Sequence, residues 1–425
     1  MRLLRGKWPK RYAIQGNKKG GTESMREADK KKFEEITRMR DEVDEKIKEV
    51  LNREIDPIYR EIAGKIGGGM ENDKHMPHIL ERLLPLEQAR MVNQLPDQYR
   101  EESAGRLEVS EEFAKKAGMD KKTADKYLYE LYEKGFIYPT RGGPQMPRAV
   151  VQFKNAAVNN PKYEEALGQE YLELWTAFEL VQERLEEAAK RRASESVPGQ
   201  RVLPRWRAIK DIPGVMPCED TRELIKLGAK KGPLAIYYCP CKKFSVGKTC
   251  DIDNACCLGF MGMARYHIER GTGREVTLKE ALDLVAEFDK LPVTHMSRNL
   301  QGNIEGGELA VDMICECHWD CCIVLHPVFG QDKYPVEQLV AKSRFESTVD
   351  PEKCIGCKTC VSVCQWGAAQ MRYYPEHDEE RAHIDTEACF GCGSCVVNCS
   401  VSALNLKLVR PPKHIPETLE SPVGG

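Results

Sequence analysis

The first 217 residues contain no cysteine, although the 425-residue chain has eighteen, all between Cys218 and Cys399. Thiolate chemistry is therefore confined to the second half, and the main boundary in the chain lies where the cysteines begin. Charge of one sign is also lacking: 64 Lys and Arg stand against 66 Asp and Glu. A surface built throughout for nucleic acid or an anionic membrane is excluded, so any basic site must be local. Long apolar runs are missing too. Charges break every stretch well short of the ~18 residues a spanning helix needs, which predicts a soluble chain with no membrane span. Residues 1–24 carry seven Lys or Arg against one acid but no apolar run of the secretory kind. They read as a disordered basic tail, with the first helix after Met25. Without an export signal the expected compartment is the reducing cytoplasm, where cysteines serve as metal ligands and disulfides do not persist. There is no Walker loop, no G-x-G-x-x-G after a strand, no His-Glu-x-x-His and no nucleophile elbow. Flavin or nicotinamide chemistry would then belong to a partner.

What the thiol-free half does contain is helical periodicity. Ile36, Met39, Val43, Ile47 and Val50 follow Phe33 at three- and four-residue steps, predicting a long amphipathic helix that ends near Gly67-Gly68-Gly69. Residues 108–153 read as a winged helix-turn-helix. Ser110 caps a helix through Ala117, Asp120 caps a second through Lys134, and Gly135 ends it. Phe113, Ala117, Ala124, Leu128 and Leu131 have the spacing of a three-helix core, and Arg141-Gly142-Gly143-Pro144 turns between two strands of a wing. The second helix mixes Lys121, Lys122, Lys126 and Lys134 with Asp125, Glu130 and Glu133, which weakens a phosphate-binding role and argues against DNA as a partner. Residues 162–192, with Leu172, Trp175, Leu180 and Leu185, continue as a long helix. Ser194 to Pro204 reads as a linker.

Near the C-terminus the chain repeats itself. Residues 349–368 and 384–403 share nine identities in twenty at an offset of 35, including four cysteines each. Cys354, Cys357, Cys360 and Cys364 form one C-x2-C-x2-C-x3-C run, and Cys389, Cys392, Cys395 and Cys399 the other. Two successive two-residue gaps curl the backbone around one face of a cubane and offer three thiolates to three irons. The fourth thiolate crosses to the other cluster when the halves pack about a pseudo-twofold axis. This assigns Cys354, Cys357, Cys360 and Cys399 to cluster 1, and Cys389, Cys392, Cys395 and Cys364 to cluster 2. Structural zinc also uses C-x2-C pairs, but it closes with four ligands in two pairs, a poorer fit to three thiolates within seven residues.

From Val349-Asp350-Pro351-Glu352-Lys353 through Cys354-Ile355-Gly356-Cys357 to Cys399, about sixty residues resemble the bacterial-type 2[4Fe-4S] ferredoxin. The resemblance implies two [4Fe-4S] clusters that carry single electrons. Gly356 and Gly391 would let the backbone approach inorganic sulfur, and Ile355, Val361, Phe390 and Val396 would form an apolar shell. The family usually has proline after the fourth cysteine, whereas this chain has Gln365 and Ser400. A donor there near a sulfur would tend to raise the potential. The acids Glu376, Asp378, Glu379 and Glu380, between Tyr373 and Arg381, read as a solvated loop.

Ten further cysteines lie upstream, Cys218 apart from the rest. Residues 233–238 predict a strand delivering Cys239 and Cys241, and Leu278 to Lys290 predict a helix. Adjacent cysteines such as Cys256-Cys257 and Cys321-Cys322 can both bind where the backbone bends. Cys239, Cys241, Cys250 and Cys257 are the candidates for a third site, and Cys315, Cys317, Cys321 and Cys322 for a fourth, with zinc as the alternative occupant. His318 and His326 read as neighbours of these sites and not as ligands. The segment is similar to ferredoxin-like proteins of anaerobes that join a winged helix to such C-x-C and Cys-Cys blocks.

The expectation is an α+β protein. Residues 1–24 are a tail, 25–105 a helical region, 106–195 the winged helix-turn-helix and long helix, 205–343 a small cysteine-rich α/β domain, 344–410 the 2[4Fe-4S] ferredoxin domain and 411–425 a second tail. Its expected role is electron transfer, as a relay or donor subunit of an anaerobic cytoplasmic oxidoreductase complex more than as a stand-alone enzyme. Partners would be a redox protein or a second copy of the chain. Two alternatives remain open: a redox-responsive DNA regulator, and a reductase with a catalytic cluster in the middle domain.

Overall fold

The computed structural model describes residues 25–66, 70–96, 106–140, 143–147, 150–180, 186, 190, 198–245, 255–298, 313–326, 336–412 and 415. Helices dominate up to residue 180, and from residue 200 on strands and short helices share the chain, in the α+β manner. Among the described residues no helix is long and apolar enough to cross a membrane.

The amphipathic stripe after Phe33 does not make one helix to Gly67. Met25–Lys46 and Lys48–Leu51 are helical, the chain then opens, and a separate helix covers Ile58–Lys65. Asp56-Pro57 accounts for the break, because proline has no N–H to donate and disfavours helical backbone at the residue before it. Phe33, Ile36 and Ile47 are buried as the stripe predicts, while Met39 is exposed.

Ser110 and Asp120 cap their helices as expected, accepting from the backbone N–H of Phe113 at 3.1 Å and of Thr123 at 3.0 Å. Helices Glu111–Lys116 and Lys121–Glu133 lead into the hairpin β1 (Tyr138–Thr140) and β2 (Gly143–Gln145). Arg141 and Gly142 of the expected turn lie outside the described residues. Tyr138 stacks on Tyr266 at 5.4 Å, and Arg270 donates to the carbonyls of Tyr132, Glu133 and Ala156. The hairpin is thus packed against the second half of the chain, with Gly143 to Gln145 buried. The long helix at 162–192 is described over Glu164–Leu180, with a break at Gly168, whose φ of 70° no helix has. Leu185 lies outside the described residues.

The middle of the chain builds one six-stranded antiparallel sheet in the order β3-β7-β8-β5-β4-β6. Its strands are β3 (Gln200–Val202), β4 (Leu234–Tyr238), β5 (Ala255–Phe260), β6 (Gly273–Val276), β7 (Thr294–Arg298) and β8 (Met313–Cys317). One sequence expectation needs correcting here. Part of the presumed linker is the edge strand β3, since Arg201, Val202 and Leu203 are buried against β7. The helix expected from Leu278 is present as Leu278–Phe288, with β6 before it.

The C-terminal unit pairs β9 (Phe345–Val349) with β12 (Leu404–Leu408) and β10 (Ala369–Tyr374) with β11 (Glu379–Ile384), all antiparallel. A short helix within each cysteine run carries its third cysteine, Thr359–Val363 with Cys360 and Ser394–Val397 with Cys395. The acidic stretch after Tyr373 is the end of the β10–β11 hairpin. This unit is seated on the sheet: the backbone N–H of Arg205 donates to the Cys392 carbonyl at 2.9 Å, and Asn398 donates to the Asp289 carbonyl at 3.1 Å.

Under that seat lies a buried ion network. His295 on β7 is wholly enclosed between Glu316 at 2.6 Å and Asp289 at 2.8 Å, with Arg205 3.4 Å from Asp289. Burial disfavours the charged ring, but Glu316 and Asp289 outweigh it and lift His295 from 6.5 to about 9. Because the folded value is the raised one, this stabilisation is full below pH 6.5 and is lost as pH rises through 9. A shift of that size corresponds to about 3 kcal/mol. His295→Gln is expected to lower the urea midpoint at pH 6 and to approach wild type above pH 9. A deficit independent of pH would refute the charged pairing.

Candidate metal centres

The two ferredoxin-type runs line two small cavities of about 20 Å³ each. One is lined by Cys354, Cys357, Cys360 and Cys399, the other by Cys364, Cys389, Cys392 and Cys395. In each, the fourth cysteine of one run stands with the first three of the other. The donors around them favour a charged sulfur: backbone N–H groups of Ala382, Ala403, Ala369 and Ser347 point at Cys354, Cys399, Cys364 and Cys389 at 3.3–3.4 Å. The Ser347 hydroxyl stands 3.3 Å from Cys395. Burial, then Cys392, pushes the Cys364 thiol up to about 12, and burial pushes Cys360 to about 11. Such thiols hold their protons until a cation replaces them, so metal binding there releases protons. Four soft donors around a small pocket, with sulfur-directed N–H groups, fit an iron–sulfur cluster.

Residues 353–403 match the family described as the 4Fe-4S dicluster domain. No curated protein and no solved structure matches the chain. The C-terminal unit is therefore a ferredoxin-like iron–sulfur domain with an electron-transfer role.

The two cavities differ in exposure. Cys357 is exposed, and Ile355 lines the first cavity as its position in the motif suggested but is itself 61% exposed, so it shields that site only on one side. Phe390 is buried and stacks on Trp366 at 3.7 Å beside the other cavity. The motif glycines act against backbone. Gly356 and Gly391 have φ of +66° and +67°, and a Cβ would strike the Glu380 carbonyl at the first and the Phe345 carbonyl at the second.

Gln365 does not turn toward a sulfur. Its amide donates to Thr294 and to the Cys317 carbonyl at 3.1 Å, and its oxygen accepts from the Trp319 N–H at 3.0 Å. The residue after Cys364 thus ties the ferredoxin domain to the second cysteine field.

That field is not divided as its sequence groups suggested. Cys239, Cys241, Cys257, Cys315, Cys317, Cys321 and Cys322 all line one cavity of about 170 Å³, so the candidates for a third and a fourth site share a single space. Cys250 lies outside the described residues. Cys239 caps the short helix Pro240–Phe244 at the end of β4. On β8, Met313, Cys315 and Cys317 share a face by the period of two, and all three line the cavity. Opposite Tyr237 and Tyr238, β5 carries an irregularity in which Cys256 is the extra residue. The sulfurs of Cys239, Cys256 and Cys257 consequently lie within 4.8 Å of one another. Cys256 belongs to neither of the sets that the spacing suggests; its adjacency to Cys257 is the signal in the sequence, but only the bulge brings both to Cys239.

Thiol–thiol contacts close the set: Cys241 with Cys239 and Cys322, Cys257 with Cys315, and Cys317 with Cys315 and Cys322. The bond with Cys239 lifts Cys241 to about 12, and the bond with Cys241 lifts Cys322 to about 12. Buried cations surround the field. Lys242 stands 3.6 Å from the Cys321 sulfur, and Arg40, fully buried, donates to the Asp320 carbonyl at 2.6 Å and to Ser245 at 2.9 Å. Lys154 is also fully buried, 3.5 Å from Glu179 and close enough to favour ionised Cys241. His318 lines the cavity with its ring on Asp320 at 2.8 Å. His326 is held elsewhere, stacked on Phe33 at 4.3 Å and bonded to the Trp319 carbonyl.

Proposed function

We propose that the chain is a relay or donor subunit of an anaerobic cytoplasmic oxidoreductase, moving single electrons through two [4Fe-4S] clusters in its C-terminal domain. Cys354, Cys357, Cys360 and Cys399 hold the first, and Cys389, Cys392, Cys395 and Cys364 the second. The carrying observation is the pair of four-cysteine cavities, each completed by the other run's last cysteine. The clusters supply reversible one-electron chemistry; the residues around them set where it is exchanged and at what potential. Exposed Cys357 and Ile355 offer the first site to a redox partner protein. The second lies deeper, against Gln365 and the sheet.

Ser347 tunes the deeper site. Its hydroxyl and N–H stabilise added negative charge on Cys395 and Cys389. Ser347→Ala is expected to lower that potential by tens of millivolts, since a tenfold change in a one-electron equilibrium is about 59 mV. An unchanged potential in a redox titration followed by EPR would remove the hydroxyl from the account.

The helix-turn-helix and hairpin support a docking role within the chain better than a DNA-reading one. Lys121 pairs with Asp125 and Glu108, Lys126 lies 3.7 Å from Glu130, and the would-be wing is packed. The relay is tested by anaerobic stopped-flow: dithionite-reduced protein should pass electrons to a one-electron acceptor and be reduced again over repeated cycles. Clusters that dithionite cannot reduce, or that bleach in one cycle, would contradict it.

A further inference from the structure

We propose that the middle cavity is the seat of one iron–sulfur centre larger than a single cubane, held jointly by the β4–β5 cysteines and the β8-loop cysteines. Three observations carry this. The first is size relative to an internal standard. Each ferredoxin-type cavity measures about 20 Å³ and is lined by four cysteines, whereas this one measures about 170 Å³ and is lined by seven. The second is connectivity. The sulfurs of Cys239, Cys256 and Cys257 lie within 4.8 Å of one another, and Cys239 and Cys257 share their cavity with Cys241, Cys315, Cys317, Cys321 and Cys322, so the two sequence groups do not stand apart as separate sites.

The third is charge. Lysine and arginine are almost never fully buried unless paired. Here Lys242 is buried 3.6 Å from the Cys321 sulfur and Arg40 is buried on the neighbouring Asp320 carbonyl, so both offset the negative charge of a thiolate-bound centre. Zinc takes four thiolates in a closed tetrahedron and would leave the remaining sulfurs and most of the space unused. A soft donor set of this number suits a multi-iron sulfide assembly. Metal binding here does not depend on the relay role, but the choice of iron and sulfide rests on the ferredoxin domain being loaded with them in the same cell.

The test uses the full chain, prepared anaerobically, with iron, sulfide, zinc and copper measured per chain. Wild type is compared with Cys239→Ser/Cys257→Ser, with Cys315→Ser/Cys317→Ser and with the combined quadruple variant. Wild type should hold iron and sulfide in excess of the about eight of each that two [4Fe-4S] clusters contain. Either double variant should lose that whole excess, the quadruple should lose no more, and the EPR signals of the ferredoxin domain should persist in all. Losses that add between the doubles would overturn the single centre. So would wild type with no excess iron, or zinc or copper in its place. If a double variant also loses the ferredoxin signals, the single variants Cys241→Ser and Cys322→Ser are read by the same criteria. Wild type without ferredoxin signals would instead refute the relay reading, which keeps the two failures apart.

Discussion

Replacing Cys399 by serine is expected to remove the cluster signals of the first cysteine run and to spare those of the second, although Cys399 belongs to the second run. Its sulfur shares a cavity with Cys354, Cys357 and Cys360, and the Ala403 N–H supports it there. Cys364→Ser should do the reverse, because Cys364 stands with Cys389, Cys392 and Cys395. Internal references make the outcome readable. The residual EPR spectrum of Cys399→Ser should coincide with that of Cys357→Ser, and that of Cys364→Ser with that of Cys392→Ser. About four irons should be lost in each case. The opposite pairing of spectra would show that each run closes its own cluster and would contradict the crossed arrangement.

Gly391→Ala is the second change with a large expected effect. A left-handed φ costs a non-glycine residue about 1–2 kcal/mol. The added methyl would also meet the Phe345 carbonyl and the Ser343 hydroxyl, neither of which is the free end of a flexible chain. Ser343 is buried and donates to the Gly391 carbonyl at 2.9 Å, and Phe345 begins the β9–β12 pairing, so both partners are fixed. Overpacking of this kind adds about 1–3 kcal/mol. The loop that presents Cys389 and Cys392 should be displaced, with loss of the deeper cluster's iron and a lower unfolding midpoint. Gly262→Ala, where a Cβ meets nothing within 4 Å, is the control and should be silent. Full iron content in Gly391→Ala would show that the loop relaxes.

The ferredoxin-type cysteines were legible because their chemistry is local: seven residues suffice to curl three thiolates about one point. The capped helices at Ser110 and Asp120 were legible for the same reason. The middle cavity was not, because its donors come from β4, β5, β8 and the loop after β8, brought together only by the antiparallel sheet. Spacing grouped Cys239 with Cys257 and Cys315 with Cys322, but a strand order of β8-β5-β4 puts both groups at one end of the sheet. Strand β3 was hidden in a Ser-, Pro- and Gly-rich stretch, since three residues at a sheet edge leave no periodicity to read. Gln365 stood out as a departure from proline, yet its partners Thr294, Cys317 and Trp319 lie 46 or more residues away. Ile355 likewise lines the first cavity as its place in the motif suggests, but its exposure beside Cys357 could be read only from the fold.

The most direct test of the central claim is the Mössbauer spectrum of 57Fe-enriched full-length chain, isolated without oxygen and recorded before and after reduction. The expected result is cubane iron in paired-valence states that takes up electrons reversibly, accompanied by an equal amount of acid-labile sulfide. Protein that is colourless and sulfide-free, with zinc on the Cys354 to Cys399 thiolates, would contradict it.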